Sequence, residues 1–255
     1  MFWYGLSKRP ILLGLATALC ALALLEALIA TDWISAYVVP PPSDVVMSFG
    51  RIITEENILA RFSLTTAETL GAGFLLTVCG IALGGLLHRF ELLRQATETW
   101  VAAFASAPLV LAYPLFLVVF GRSALTIIVI GFLAGLAPVA LKTLEGLRSV
   151  RPVLINTARV LGLTSRQQFW KILIPAAAPT IFLGVRLGLT FALINIIGVE
   201  FLINFGGLGQ LINELSERYD LAGTYAAICF VVLVSILFFA MLEKAEQRFH
   251  PATSQ

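Results

Sequence analysis

The chain alternates between long apolar runs and short polar segments, and the apolar runs approach the length needed to cross a membrane. A membrane-spanning α-helix needs about 20 mostly apolar residues. Six runs predict six spans, at about residues 11–30, 64–87, 97–120, 125–141, 176–199 and 222–242. The pattern therefore predicts an all-α, polytopic membrane protein with six transmembrane helices, forming a single domain over residues 1–255.

The first run admits a second interpretation, because Lys8 and Arg9 precede it and a basic start before an apolar segment is typical of a secretory signal. The run is about 20 residues long, which is enough to span a bilayer. Glu26 also interrupts its far end. We interpret it as a retained span with the N-terminus in the cytoplasm.

The longest interruption of the apolar pattern is residues 142–175, KTLEGLRSVRPVLINTARVLGLTSRQQFWKILIP. Pro152 suits the first position of a helix and Gly162 suits its end. One face of that helix carries Val153, Leu154, Thr157, Val160 and Leu161. The segment therefore predicts a short amphipathic helix, and its basic residues favour the cytoplasmic side.

A second short helix is predicted to follow, with Ser165 as its cap and Gln168 completing a capping box. Pro175 is expected to force Ile174 out of helical geometry and to start a new element. The prediction is a helix, turn, helix unit between the fourth and fifth spans.

Several special residues refine the other elements. Pro108 and Pro114 predict a kinked or unwound third span, and irregular backbone at membrane depth is tolerated only against protein or a water-filled cavity. Ser43 or Asp44 is expected to cap a surface helix that runs to about Glu55. Glycines in the second span predict close approach of a neighbouring helix; they are Gly71, Gly73, Gly80, Gly84 and Gly85. The Gly206, Gly207 and Gly209 cluster predicts a turn.

Five residues are candidates for a transport pathway: Pro108, Tyr113, Arg186, Asn195 and Glu200. Each also has a structural interpretation. Arg186 lies within an apolar run, where a charge must be compensated by a carboxylate or by backbone carbonyls. Glu200 is equally suited to capping or pairing, and packing between helices suits the remaining three.

Composition excludes a soluble protein, since 59% of the residues are hydrophobic and 13% charged, with a mean hydropathy of +0.93. The distribution of basic residues predicts the orientation, because cytoplasmic loops are rich in Lys and Arg. The segments assigned to the inside hold Lys8, Arg9, Arg89, Arg94, Lys142, Arg148, Arg151, Arg159, Arg166, Lys171, Lys244 and Arg248. Those assigned to the outside hold Arg51, Arg61, Arg122 and Arg218. Both termini are therefore expected in the cytoplasm.

The sequence carries little chemistry of its own. Cys20, Cys79 and Cys229 lie in apolar runs and are interpreted as inert buried thiols, while His88 and His250 are isolated, so no metal site is predicted. No phosphate-binding GxxxxGK[ST] loop, HExxH pattern or paired-carboxylate motif occurs. We therefore expect a transport subunit rather than a membrane-embedded enzyme. The energy for transport is expected to come from a partner subunit; the alternative is an ion-coupled secondary transporter. Nothing predicts a nucleic-acid partner.

The run NTARVLGLTSRQQFWKILIP, residues 156–175, resembles the EAA signature of permease subunits in binding-protein-dependent bacterial ABC importers. Ala158 matches the last alanine of that signature, Gly162 its glycine, and residues 172–175 its close, whereas Asn156 and Thr157 depart from the first two positions. APLVLAYPLFLVVFG, PTIFLGVRLGLTFAL, GGLGQLI and VVPPPSDV are similar to the sulfonate, taurine and nitrate branch. The resemblance covers about residue 38 to the C-terminus.

The resemblance implies a type I ABC importer permease fold in the bacterial cytoplasmic membrane, with lipid around it. It also implies a second permease copy in a homodimer, two ATPase subunits that hold ATP and Mg, and a substrate-binding protein on the outer face. This chain itself would bind no cofactor. The solute implied is a small organic or inorganic anion such as a sulfonate, taurine, nitrate or an aromatic acid. The residues implied to couple to the ATPase are Asn156, Thr157, Ala158, Arg159, Leu161, Gly162, Arg166 and Pro175.

Overall fold

The computed structural model describes residues 8–249, and that part of the chain is almost entirely helical. The helices are α1 (Lys8–Ala30), α2 (Pro42–Thr54), α3 (Ile58–Arg89), α4 (Glu91–Ala105), α5 (Tyr113–Phe120), α6 (Ala124–Arg148), α7 (Pro152–Val160), α8 (Ser165–Gln168), α9 (Ile174–Ile203), α10 (Gly207–Glu217) and α11 (Leu221–Phe249). A 3₁₀ turn, Leu109–Ala112, precedes α5, and a π-helix, Phe169–Leu173, joins α8 to α9. Both chain ends, and with them His250 and the expected cytoplasmic termini, lie outside the described residues.

Within residues 8–249, five helical segments are long and apolar enough to cross a membrane, and the bent pair α4–α5 makes a sixth when it is counted as one span. The prediction of an all-α protein with six spans is therefore confirmed. The fourth span extends further than predicted. The α6 helix continues to Arg148 instead of ending near Leu141, and it does so although Pro138 lies inside it.

The third span is interrupted as the prolines predict. The α4 helix ends at Ala105, Pro108 precedes the 3₁₀ turn in non-helical geometry, and the two halves meet at 87°. Pro108 has no N–H to continue a helical hydrogen-bond ladder, so the chain turns there. Pro114 stands at the start of α5, where a missing N–H costs little.

The core of the larger compact unit, residues 60–210 and 233–255, lies where α3, α6 and α9 meet. Its buried side chains include Leu76, Ile130 and Ile196. Glycines allow the close packing: a Cβ added at Gly135 would lie 2.5 Å from the carbonyl oxygen of Gly188 on α9. A Cβ added at Gly84 in α3 would likewise lie 2.5 Å from the carbonyl oxygen of Ala140. The prediction that glycines of the second span admit a neighbouring helix is confirmed.

The other compact unit contains residues 1–59 and 211–232, and ionic and polar contacts bind its elements. The expectation that Ser43 or Asp44 caps α2 is wrong. Pro41 is the N-cap residue, and Ser43 instead donates from its N–H and its hydroxyl to the carboxylate of Glu26 on α1, at 3.1 and 2.7 Å. Glu26 therefore replaces the local cap.

Two further ion pairs lie in the same unit. Arg51 pairs with Asp220, and Arg218 pairs with Glu56 at 2.8 Å. The hydrogen bond to Asp220 is the largest cause that raises the pKa of Arg51 above its ordinary value.

The three cysteines are not buried as expected: Cys20, Cys79 and Cys229 are all exposed at the surface of the chain. Each lies on a helix that is long enough to span a membrane. In a membrane protein the outer face of a span is apolar and contacts lipid, so an apolar run does not imply burial within the protein. No group of three or more His, Cys, Asp or Glu side chains within residues 8–249 is placed to hold a metal ion.

Candidate functional site

The polar interruption of the sequence forms the predicted short helix α7, and both of its ends follow from local chemistry. Pro152 occupies its first turn, and Gly162 follows its end with φ +70°. The N–H of Gly162 donates to the carbonyl oxygen of Arg159, and the N–H of Leu163 to that of Ala158, both at 3.0 Å. These two hydrogen bonds form a Schellman motif, in which glycine suits the left-handed position. The predicted helix from Pro152 to the Gly162 stop is confirmed.

The second short helix begins one residue earlier than predicted. Thr164, not Ser165, is the N-cap, and its hydroxyl accepts a hydrogen bond from the N–H of Gln167 at 3.3 Å. The Gln167 side chain accepts one from the N–H of Thr164 at 3.0 Å. The capping box is therefore present with Thr164 and Gln167 as its ends.

Pro175 does not interrupt the helix, so the prediction that a new element starts there is wrong. Ile174 has helical geometry, with φ −60° and ψ −50°, and α9 runs on through Pro175. The π-helix just before the proline explains this: the N–H of Ile174 reaches back five residues to the carbonyl oxygen of Phe169. The wider turn makes room for the proline ring, which would clash with a carbonyl in a regular α-helix. The helix consequently continues from Ser165 to Ile203.

We call residues 152–173 the cytoplasmic segment, after the side predicted for it. A small buried apolar cluster joins it to the spans. Its members are Leu147 at the end of α6, Val150 just after α6, Leu173 in the π-helix, and Ala177 and Ile181 in α9. Leu154, Ile155 and Phe169 pack against that cluster. The cytoplasmic segment therefore forms one packed body with the end of α6 and the start of α9.

The α7 helix has one inner and one outer face. Ala158 is only 1% exposed, so its side chain packs within this chain and offers no surface to a partner. Val160 and Leu161 are 87% and 71% exposed. Asn156, Thr157, Arg159, Gly162 and Arg166 are exposed as well. The surface open to a partner is thus the outer face of α7 and the turn after it.

The structure places the pathway candidates in different surroundings. Tyr113 packs against the core of the larger unit, and the Asn195 side-chain amide donates to the carbonyl oxygen of Phe191 one turn earlier, at 2.9 Å. Arg186 forms an ion pair with Glu246 on α11 at 2.9 Å. The charge of Arg186 is therefore compensated, as its structural interpretation requires.

Glu200 is fully buried and acts as a structural acceptor. Its carboxylate accepts a hydrogen bond from the Thr65 hydroxyl at 2.7 Å and from the N–H of Gly209 at 2.8 Å. Thr65 also accepts from the N–H of Leu208 at 2.9 Å. These bonds hold the turn at residues 204–206 and the start of α10 against α3 and α9, and they provide the capping role that was one of the two interpretations of Glu200.

Sequence reasoning missed three polar partners in this region: Thr65, Glu68 and Glu246. Glu68 is 1% exposed and lies beside the carboxyl group of Glu200. A signal for Glu68 existed, because a carboxyl group inside an apolar run is costly in a membrane and marks a functional candidate. No pattern within the chain pairs Thr65 with Glu200 or Glu246 with Arg186, because each pair is far apart in sequence.

The fold and the cytoplasmic segment define a class, the helical permeases of membrane transport systems. The sequence matches the family described as "Binding-protein-dependent transport system inner membrane component" over residues 76–251, and the chain belongs to that family. It is therefore an inner-membrane transport component, an ABC importer permease, and not an enzyme in itself. The resemblance noted in the sequence is confirmed.

Curated relatives come from several bacteria. The chain is 24% identical to the taurine transport system permease protein TauC of Escherichia coli, over 98% of this chain and 92% of that protein. It is 28% identical to the putative aliphatic sulfonates transport permease protein SsuC of Bacillus subtilis, over 87% and 84%. It is 27% identical to the formylaminopyrimidine transport permease protein ThiX of Halalkalibacterium halodurans, over 82% and 84%.

Solved structures of the MetNI methionine ABC transporter in inward-facing conformations share the fold. Two of them superpose with TM-scores of 0.66 and 0.68 at 22% and 20% identity, and each superposition covers 76% of this chain. The superpositions cover 97% and 96% of the matched chains. The expected type I ABC importer permease fold is thereby confirmed.

Proposed function

We propose that this chain is the translocation subunit of an ATP-driven importer for a small anionic solute. In this proposal two copies pair, and two separate ATPase subunits bind ATP and Mg and dock on α7. A substrate-binding protein delivers the solute to the outer face. The chain spans the bacterial inner membrane with residues 152–173 in the cytoplasm.

The observation that supports coupling through α7 is its combination of an apolar outer face with a packed inner face. Val160 and Leu161 present uncovered apolar surface next to the Gly162 turn. On the inner side, Leu154 and Ile155 pack into the cluster shared by the ends of α6 and α9. A partner that grips the outer face would consequently move both spans with α7.

The π-helix and α9 extend that connection into the membrane. Because the chain is helical from Ser165 to Ile203, a displacement of the cytoplasmic segment is transmitted along α9 without an intervening loop. Close packing along α6 and α9 resists sliding between them. Nucleotide-driven motion of an ATPase can therefore tilt these spans as rigid bodies, which is a common form of switching transition.

The proposed solute class is supported by the relatives and not by Arg186. Two of the named relatives carry taurine and aliphatic sulfonates in their names, and others carry nitrate. Taurine, sulfonates and nitrate share a compact oxyanion group. Arg186 is neutralised by Glu246, so it offers no free positive charge for such an anion.

An ion-coupled secondary transporter is the second candidate, and one observation favours it. Carriers of that kind use ionisable groups within the membrane, and Glu68 and Glu200 are such groups. The hydrogen bonds of Glu200 to Thr65 and Gly209 give that residue a structural role. Family membership and the outer face of α7 favour the ATP-driven importer.

The experiment that tests coupling is affinity capture of the tagged chain from native membranes, with the ATPase quantified by mass spectrometry. We expect a P-loop ATPase in stoichiometric amount with the native chain. Val160→Glu and Leu161→Glu should abolish capture, because a charge on an apolar interface is costly to desolvate. Leu92→Glu is the matched control, since Leu92 on α4 is also exposed and apolar but lies outside the cytoplasmic segment.

Membrane insertion is checked for each variant by the amount of chain recovered from the membrane fraction. Capture of the ATPase by Val160→Glu and Leu161→Glu at the native level would refute docking on α7. Recovery of the native chain without an ATPase, combined with uptake driven by an ion gradient, would establish the secondary transporter instead.

A further inference from the structure

A large groove lies between α3, the cytoplasmic segment and the first part of α9, all within the larger compact unit. Its volume is about 1540 Å³. On α3 it extends from Thr77 to Arg89, a distance of about 18 Å at the helical rise of 1.5 Å per residue. It therefore runs along a membrane-spanning helix for more than the roughly 15 Å thickness of half a hydrocarbon core.

The lining of the groove changes from apolar to basic along its length. Toward the middle of the spans the walls are apolar, with Val78 and Ile81 on α3 and Val185 on α9. At the end near the cytoplasmic segment the walls carry four basic side chains: His88, Arg89, Arg159 and Arg166. None of the described residues that line the groove is Asp or Glu.

The arginines at that end lack a carboxylate partner within the described part of the chain, and the Arg89 guanidinium lies 5.7 Å from the centroid of the Phe90 ring. Among the described residues, none of Arg89, Arg159 and Arg166 forms an ion pair, whereas Arg94 nearby is paired with Glu91 and Glu98. The Nδ1 atom of His88 is buried and has no hydrogen-bond partner in the described part of the chain. Buried polar atoms normally have a hydrogen-bond partner, so the unpaired Nδ1 atom of His88 points to a partner outside the described part of the chain.

These features fit one chemical class of ligand, a molecule with a negatively charged head and long apolar chains. Basic pockets between transmembrane helices on the cytoplasmic side are suited to anionic lipid head groups. The arginines can donate several hydrogen bonds to one phosphate, and the apolar walls can cover acyl chains. A docked ATPase does not fill the deeper part, because a soluble domain does not enter the hydrocarbon region.

We propose that the groove binds one anionic phospholipid, with its phosphate between Arg89, Arg159 and Arg166 and its acyl chains along α3 and α9. The proposal rests on the proposed orientation, with residues 152–173 in the cytoplasm. The bound lipid contacts α3, the cytoplasmic segment and α9 at once. It therefore stabilises the packed body through which the proposed ATPase movement is transmitted.

Trp170 provides a direct probe, because its indole lines the groove and is exposed. The test uses the full chain in lipid nanodiscs, with Trp3, Trp33 and Trp100 replaced by Phe so that Trp170 is the sole tryptophan. Brominated phosphatidylglycerol or brominated phosphatidylcholine is added in equal mole fractions to an unbrominated phosphatidylcholine bilayer. We expect phosphatidylglycerol to quench Trp170 at a markedly lower mole fraction than phosphatidylcholine does.

Arg89→Gln should reduce that preference about fivefold, since one basic residue near an anionic surface contributes roughly that factor to affinity. Arg89→Lys should retain most of it. Arg151→Gln is the matched control, because it removes the same charge from an exposed residue just before α7 that does not line the groove. Thermal unfolding of each variant in the same nanodiscs checks that the fold is intact.

Equal quenching by the two lipids would overturn the proposal, and so would a preference that Arg89→Gln and Arg151→Gln lower equally. Failure of both lipids to quench would show that protein covers the groove, as a second copy of this chain would, and would also overturn it. Because nanodiscs present the same lipid on both sides and contain no ATPase, none of these results depends on the proposed importer function. Capture of the ATPase by the native chain remains a separate test of that function.

Discussion

At the scale of single residues, Glu200 is a side chain whose removal should lower the free energy of unfolding. It is fully buried and accepts hydrogen bonds from Thr65 and Gly209. Glu200→Ala would leave the N–H of Gly209 without a partner, whereas the Thr65 hydroxyl would keep its longer contact with the carbonyl oxygen of Arg61 at 3.3 Å. A buried unsatisfied group costs about 1–3 kcal/mol and a lost hydrogen bond about 1 kcal/mol. We expect a loss of about 2–4 kcal/mol, seen as a lower unfolding temperature in detergent by about 5–10 °C.

Two further variants make the Glu200 measurement specific. Glu200→Gln keeps one side-chain oxygen as an acceptor and should lie between the native chain and Glu200→Ala. Glu145→Ala removes a carboxylate of similar size from an exposed ion pair with Lys142, and exposed pairs contribute little. An equal shift for Glu145→Ala and Glu200→Ala would mean that the buried hydrogen bonds do not stabilise the fold.

Gly162 tests whether the end of α7 must keep its left-handed turn. Its φ is +70°, and a Cβ added there would meet no atom within 4 Å, so backbone strain is the only local cost of a side chain. Asn adopts this conformation readily, whereas other residues lose about 1–2 kcal/mol. We expect Gly162→Val to lower capture of the ATPase about tenfold, while Gly162→Asn stays near the native level.

Capture is compared at equal amounts of membrane-inserted chain. If Gly162→Asn and Gly162→Val lose capture equally, the outer surface of the turn tolerates no side chain and strain is not the cause. If neither variant loses capture, the turn has no part in docking.

At the scale of elements, the sequence predicts a helix boundary where neighbouring residues determine it. It does not predict a boundary that residues distant in the sequence determine. The lengths of the apolar runs were sufficient to predict the spans, and Pro108 to predict the bend. The prediction failed at Pro175, because proline only biases the preceding residue away from helical geometry, and the π-helix removes the clash of the ring with a carbonyl one turn earlier. The predicted cap of α2 was wrong because a distant residue decides there: Glu26, in a different helix, supplies the acceptor.

The π-helix itself supports a prediction about the cytoplasmic segment. Pro175→Ala removes the ring that the wide turn accommodates, so the turn can relax to a regular α-helix. Loss of the extra residue would rotate the preceding segment by about 100°, the angle of one residue in an α-helix. Spin labels on the exposed positions Val160 and Leu92 should therefore report a changed distance distribution by electron–electron double resonance.

Pro179→Ala is the matched control for this measurement. Pro179 lies inside the same α9 helix, beyond the π-helix, so its replacement should leave the distance distribution unchanged. Identical distributions for the native chain and Pro175→Ala would show that the apolar cluster around Leu173, and not the proline, holds the wide turn.

At the scale of the whole molecule, the family, the helical fold and the length of the spans agree, and the orientation is the prediction they leave to experiment. The α6 helix is 25 residues long, or about 37 Å, which exceeds the roughly 30 Å hydrocarbon core. The two ends of α6 therefore lie on opposite sides of the membrane. The excess of Lys and Arg after its C-terminal end predicts that this end lies in the cytoplasm.

Cysteine labelling tests this orientation at the two ends of α6. In a variant with Cys20, Cys79 and Cys229 replaced by Ser, we expect Ser123→Cys, just before α6, to react with a membrane-impermeant maleimide in cells with a permeabilised outer envelope. Ser165→Cys, in the cytoplasmic segment, should react only after the inner membrane is opened. The opposite result would place residues 152–173 outside, where no ATP is available, and would remove the basis for coupling through α7. Labelling of both positions in sealed cells would mean that the reagent crosses the membrane. Labelling of a cytosolic protein with a free thiol detects such leakage.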